Sequence, residues 1–284
     1  MQVSASSINF PVTISNNGRL VIIGGINVLE GIDNAIEIGN SFKEVCDAEG
    51  LGFVFKASFD KANRTSNSSY RGPGIEKGLN MLAEIKRALN VSILTDVHEA
   101  SQVSRVAEVC DVLQLPAFLA RQTDLIAALA ASGRPVNIKK PQFVSPHQAA
   151  LIVEKFSQHG CSDVILCERG TCFGYDNLVL DILGIDIMKI ATGGKPICVD
   201  VTHALQCRKP NEITSGGRRS QIMQISNAVV ACGIAAVFVE SHDNPELAPC
   251  DGASALPSHN IQQFVRQLSS IDKLIKGQLS MEVK

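Results

Sequence analysis

A chain of 284 residues suits two ordinary domains or one large barrel. Its 45% hydrophobic and 19% charged residues exclude general disorder, and 26 Lys+Arg against 28 Asp+Glu, a net charge of -2, exclude a bulk positive field for nucleic acid or an anionic membrane. The absence of Trp, only two Tyr and no apolar run near about 18 residues argue against base-stacking platforms and membrane spans. Nine cysteines form no Cys-x-x-Cys pair and follow a start unlike a signal peptide, which points to a reducing cytoplasm. Cys46, Cys110, Cys161, Cys198 and Cys232 fall in apolar patterns and read as small buried hydrophobes.

Residues 1–19 contain Asn16-Asn17-Gly18, a hairpin-turn signal, so a short N-terminal hairpin closing a barrel floor is expected. Strand-like runs follow at 20–25, 52–58, 91–97, 112–116, 135–141, 163–169, 196–203 and 235–242. Between and after them lie helical patterns at 33–49, 74–89, 100–110, 124–132, 146–158, 178–190, 218–232 and 261–276; Ser145-Pro146 offers a serine N-cap and a proline in the first turn. Eight strands alternating with helices predict an α/β fold, a single (β/α)8 TIM barrel spanning 1–284 as one domain. The rival doubly wound sheet would carry a glycine fingerprint after its first strand, and Gly24-Gly25-Ile26-Asn27-Val28 does not match it. Two long glycine-bearing loops, 60–74 and 205–217, belong to the C-terminal face where barrel enzymes keep their chemistry, with Gly216-Gly217 as a possible hinge.

The strand ends bring Asn27, Lys56, Asp96, Lys139, Arg169, His203 and Glu240 to that face, a polar and mostly basic ring. Strand alternation sends Lys56, Ser58 and Lys139 into the barrel and Lys140 outward. Together with Lys61 and Arg64 they suit a polyanionic ligand, phosphate above all, although Asp60, Asp96, Glu168 and Glu240 can absorb part of the charge. A Schiff-base lysine is one alternative; it favours an isolated amine. His203, Glu240 and Asp251 form a second constellation, open to either a divalent metal or metal-free proton transfer. A catalytically silent barrel that only binds sugar phosphates is the remaining alternative.

Several longer motifs carry a family resemblance: Lys56-Ala-Ser-Phe-Asp-Lys-Ala-Asn-Arg-Thr65, Ser69-Tyr-Arg-Gly-Pro-Gly74, Leu94-Thr-Asp-Val-His-Glu99 and Gln114-Leu-Pro-Ala-Phe-Leu-Ala-Arg-Gln-Thr-Asp124. Asn137-Ile-Lys-Lys-Pro-Gln142, Asp200-Val-Thr-His-Ala-Leu-Gln206 and Cys250-Asp-Gly-Ala-Ser-Ala-Leu-Pro257 extend it over nearly the whole chain. The chain resembles the 3-deoxy-D-manno-octulosonate 8-phosphate synthases. That resemblance implies condensation of phosphoenolpyruvate with D-arabinose 5-phosphate and water, for lipopolysaccharide biosynthesis. It implies Lys56 and Lys61 at the enolpyruvate carboxylate, and Lys139 and Arg169 with the backbone near Ala117 at its phosphate. Asn63, Arg64 and Thr65, with Arg121 of the partner subunit, are implied at the arabinose phosphate. His203, Gln142, Asp96, Glu240 and Asp251 would surround the reacting carbons, and Ser58, Gln114, Phe118 and Gln206 complete the predicted substrate-binding set. Asn27, where metal-dependent members carry cysteine, implies the metal-independent class, with no metal and no cofactor. Partners are expected to be small phosphorylated substrates, without nucleic acid or membrane, and the assembly a homotetramer. Lys61-Ala-Asn-Arg64, in place of the Lys-Pro-Arg of seven-carbon relatives, favours the five-carbon aldehyde.

Overall fold

The structure is a computed structural model and describes residues 7–207 and 216–278. Eight parallel strands form the barrel: β1 (Val21–Val28), β2 (Gly52–Ser58), β3 (Ser92–Asp96), β4 (Val112–Leu115), β5 (Val136–Lys139), β6 (Val164–Glu168), β7 (Ile197–Asp200) and β8 (Ala236–His242). They pair in the order β7-β6-β5-β4-β3-β2-β1-β8, and the pairing of β7 with β8 closes the ring. Helices α1 (Ile32–Glu49), α2 (Ile75–Leu89), α3 (Val103–Val109), α4 (Thr123–Ala131), α5 (Pro146–Gln158), α6 (Ile182–Ala191), α7 (Ile222–Ala231) and α8 (Ile261–Lys276) follow their strands. The fold is therefore the (β/α)8 barrel expected from the alternation.

Period two divides the strand side chains between two cores. Phe53, Phe55, Val136 and Ile138 face the helices, where they pack with Phe42, Ile85 and Phe156. Val21, Ile23, Val54, Leu94, Val112, Ile165, Cys198 and Phe238 fill the barrel interior. Ile8 and Ile14, from a hairpin of Ser7–Asn9 and Thr13–Ser15, join that interior cluster at the N-terminal ends of the strands. The hairpin reverses at residues 10–12 and not at Asn16-Asn17-Gly18, which instead turns the chain into β1. Asn16 has another use: its amide donates to the Gly194 and Lys195 carbonyls and its oxygen accepts Ile197 N–H, tying this turn to the start of β7.

Local chemistry explains the element boundaries. Ser145 caps α5 by accepting Gln148 N–H, with Pro146 in the first turn. Helix α6 starts at Ile182 and not at residue 178, because Asp181 accepts Gly184 N–H as its cap while Leu178–Val179 pair with Thr171–Cys172. β1 runs three residues past its predicted end through a register shift between Gly25 and Val28. Gly25 makes this possible: a Cβ there would lie 2.1 Å from the Lys56 carbonyl oxygen. Cys232 is only partly buried, since it sits at the end of α7 beside Gly233. No helix among the described residues is long and apolar enough to cross a membrane.

Candidate active site

The C-terminal face holds a cavity of about 600 Å³. Lys56, Lys61, Asn63, Arg64 and Thr65 line one side, Asp96, Gln114, Ala117 and Phe118 the next, and Lys139, Gln142, Arg169, His203, Gln206 and Asp251 the rest. Asn27 and Glu240 lie just behind this wall, bonded to residues that form it. Two expected residues are not brought in. Ser58 pairs with Val28 beyond the β1 register shift and is sealed from the cavity, its hydroxyl unpartnered. Arg121 is exposed on the turn before α4, just past the cavity-lining 3-10 turn Ala117–Leu119 and outside the cavity of this chain.

The inward lysines meet protein carboxylates. Lys56 Nζ lies 2.6 Å from Glu240 Oε1 and also donates to the Asn27 carbonyl at 3.3 Å. Lys139 bonds Asp200 and stands 3.2 Å from the centroid of the Phe238 ring. Burial would raise the Glu240 carboxyl, but Lys56, His203 and Lys61 outweigh it and hold it at about 2. Burial lowers Lys56, against the attraction of Glu240. Three other cations are left: Lys61, Arg64 and Arg169 have no carboxylate within ion-pair distance among the described residues. Arg64 donates to the Pro249 carbonyl and Arg169 to Gln206 Oε1, while Arg169 Nη1 is buried without a partner. Burial opposes charge on Lys61, yet the fields of Glu240, Asp96 and Asp251 hold its pKa above the ordinary lysine value. Of the acids considered as neutralising partners, Asp60 pairs with Arg71 and Glu168 with Lys140, both away from the mouth.

The second constellation assembles around His203. Its Nδ1 lies 2.7 Å from Asp200 Oδ2, and its Nε2 lies 3.7 Å from Glu240 Oε2 and 3.8 Å from Asp251 Oδ2. Asp251 adopts a left-handed backbone, φ 52, and accepts from Gln206 Nε2 at 2.7 Å. His203, Glu240 and Asp251 each offer an atom within 4.8 Å of the others, the spacing of a metal triad. Asn27 decides the character of the fourth corner. Its amide nitrogen donates to both Glu240 and Asp251, since its oxygen would face two anions. In this orientation the amide offers a donor, and no ligand atom, between the two carboxylates.

Sequence reasoning missed Asp200, His98 and Cys250. Asp200 is inward by the same alternation as Cys198, a signal hidden by extending the strand to His203. His98 Nε2 stands 3.0 Å from Asp96 Oδ2, and no spacing rule exposes it. The Cys250 thiol points at Asp251 Oδ2, 3.3 Å away; burial and that carboxylate push it up to about 12, which makes it a neutral donor and no nucleophile.

The sequence model of the DAHP synthetase I family matches residues 1–277. The chain belongs to that family. Within the DAHP synthetase I family it is similar to the 2-dehydro-3-deoxyphosphooctonate aldolase of Aliivibrio fischeri (strain MJ11), 51% identical over 273 residues, 96% of each chain. Proteins of that name from Yersinia pseudotuberculosis serotype O:1b (strain IP 31758) and Yersinia pestis bv. Antiqua (strain Angola) are 53% identical over 266 residues, 94% of each chain. The family match thus extends over the barrel and every element that carries the mouth.

Proposed function

We propose that this chain condenses phosphoenolpyruvate with D-arabinose 5-phosphate and water, releasing 3-deoxy-D-manno-octulosonate 8-phosphate and inorganic phosphate, for lipopolysaccharide biosynthesis. The observation that carries this reading is the set of three cations, Lys61, Arg64 and Arg169, that share one mouth without a carboxylate partner among the described residues. Two phosphorylated substrates supply the missing anions, and relatives at 51–53% identity bear the name of this aldolase.

Lys139 and Arg169, with the backbone near Ala117, hold the enolpyruvate phosphate, and Lys56 and Lys61 its carboxylate. Asn63, Arg64 and Thr65 take the arabinose phosphate, joined by Arg121 of the partner subunit in a homotetramer; the exposure of Arg121 suits a site completed by a neighbour. Gln114, Phe118, Gln142 and Gln206 shape the space between the two substrates. Carbon three of the enolpyruvate bonds to the aldehyde carbon, whose oxygen takes a proton. Water adds to the cationic carbon two and loses a proton. The carbon-oxygen bond to phosphate then breaks as the new hydroxyl gives up its proton to the departing phosphate, leaving the keto acid and inorganic phosphate. Lysine and arginine offset the mutual repulsion of the two anions, and their fixed placement does most of the catalytic work. His203 and Asp251 handle the protons, with Asp200 orienting His203 and Asp96 bordering the aldehyde. Asn27 organises Glu240 and Asp251 by hydrogen bonds, and the reaction runs without a metal. Nine free cysteines accord with a reducing, cytoplasmic setting.

Phosphate release settles the reading. Phosphoenolpyruvate with arabinose 5-phosphate is expected to release phosphate rapidly, and with erythrose 4-phosphate much more slowly. The reverse preference would assign the seven-carbon reaction, and no release with either aldehyde would leave a binding protein. A monomer by light scattering would remove Arg121 from the site.

A further inference from the structure

Lys140 leaves β5 on the helix side, directly after the inward Lys139. It does not reach solvent. Its ammonium is fully buried, donating to the carbonyls of Pro141 at 3.2 Å and Val144 at 3.1 Å and to Thr171 Oγ1 at 3.2 Å, and lying 3.4 Å from Glu168 Oε2. Glu168 is equally buried, and its other oxygen accepts the backbone N–H groups of Arg169 at 3.0 Å and Gly170 at 2.6 Å. A further bond, Cys172 N–H to the Gln142 carbonyl at 3.0 Å, joins the two loops. Neither Lys140 nor Glu168 lines the cavity, yet between them they hold the backbone from which Gln142 and Arg169 enter it.

A buried ion pair is weak grounds for stability, because an apolar pair of similar volume is often as stable or more so. What an apolar pair cannot do is donate to two loop carbonyls and a hydroxyl while accepting two successive N–H groups. Gly170 has φ 96, in the left-handed region, so the turn after Arg169 is not one the chain holds by strand pairing. The Glu168 carboxylate supplies the missing anchor there.

We propose that Lys140 and Glu168 are positioning residues that aim Arg169 at the phosphate end of the mouth, a role resting on the assignment of Arg169 to the enolpyruvate phosphate. Substrate touches neither of them. They act by fixing the directions in which Arg169 and, across the loop-to-loop bond, Gln142 leave the backbone.

The test compares Lys140→Met, Glu168→Met and the double variant, with Arg169→Ala alongside. Either single change can compromise folding by leaving a buried charge unpaired; the double change leaves none and is decisive. With folding checked by circular dichroism, the double variant is expected to raise KM for phosphoenolpyruvate about tenfold, the loss of roughly one charge-assisted hydrogen bond, and to move KM for arabinose 5-phosphate by less than about twofold. Equal rises in both KM values, or a fall in kcat alone, would mean general distortion and overturn the aiming role. A raised KM in Arg169→Ala with none in the double variant would overturn it as well, while leaving the phosphate assignment intact. No change in either would bring down the assignment and this role together.

Discussion

The side-chain amide of Asn27 serves two carboxylates, Glu240 and Asp251, that also face His203. Replacing a neutral donor with a thiolate would turn the same corner into a fourth ligand beside His203, Glu240 and Asp251. Asn27→Cys is expected to take up a divalent metal, measured by elemental analysis after gel filtration, whereas the unaltered chain keeps its activity after dialysis against a strong chelator. Chelator-sensitive activity restored by added metal would contradict this, as would a folded variant that binds none. A second residue-scale expectation concerns acid. Glu240 is held at about 2 against an ordinary 4.5, and Asp96 and Asp200 are lowered too, so their contributions to stability are complete above pH 4.5 and fade as pH falls toward 2. The thermal midpoint should therefore stay nearly level from neutral pH to about 5 and drop steeply below about 4.5; a level midpoint down to pH 3 would show that these carboxylates are not held as described. At this scale the sequence exposes Lys56 and Lys139 through simple alternation. It conceals which anion each one meets, because Glu240 and Asp200 come from strands 184 and 61 residues away.

Element boundaries follow caps and close approaches more than hydrophobic pattern. The stretch before α6 is apolar enough to read as helix from Leu178, but Asp181 and the pairing of Leu178–Val179 with Thr171–Cys172 start the helix later. Gly216-Gly217 offers a similar lesson: the two glycines pair with Cys207 and Gln206, and a Cβ on Gly217 would lie 2.5 Å from Ala253 backbone atoms. Glycine is needed at Gly217 for space; the rest of that loop, 208–215, lies outside the described residues. Gly25 shows most clearly what a close approach can do for a site. It sits where β1 is squeezed between Lys56 of β2 and Glu240 of β8, and the register shift just after it turns Asn27 toward the carboxylates. Gly25→Ala forces a methyl group against the Lys56 backbone and is expected to cost about 3 kcal/mol or more. Urea unfolding and phosphate release should both register it; a variant of unchanged stability would mean the strands can separate there at no cost.

Across the whole molecule, the eight-strand order was legible because every strand run carries its own β-branched composition and its own following helix. The hairpin was legible as an extension but not in its detail. Its turn signal belongs to the link into β1, and the inward placement of Ile8 and Ile14 depends on a barrel interior that no local window contains. Ile14 is fully buried in that interior cluster, so Ile14→Ala should lower stability by about 2–5 kcal/mol. KM for both substrates should remain unchanged, since the cavity lies at the opposite end of the strands. A stability loss accompanied by weakened substrate binding would show that the two ends are coupled.

The same hairpin sets an order of events in time. Ser7–Ser15 precede every barrel strand in the chain, yet the surface that receives Ile8 and Ile14 is assembled from strands as late as β8, beginning at Ala236. That surface exists only when β8 has paired with both β7 and β1, contacts of long sequence separation that form slowly. A segment that precedes every barrel strand in the chain is therefore among the last to be seated. Until the ring closes, its two isoleucines lack the apolar surface that covers them in the finished barrel, and uncovered apolar side chains favour association between unfinished chains.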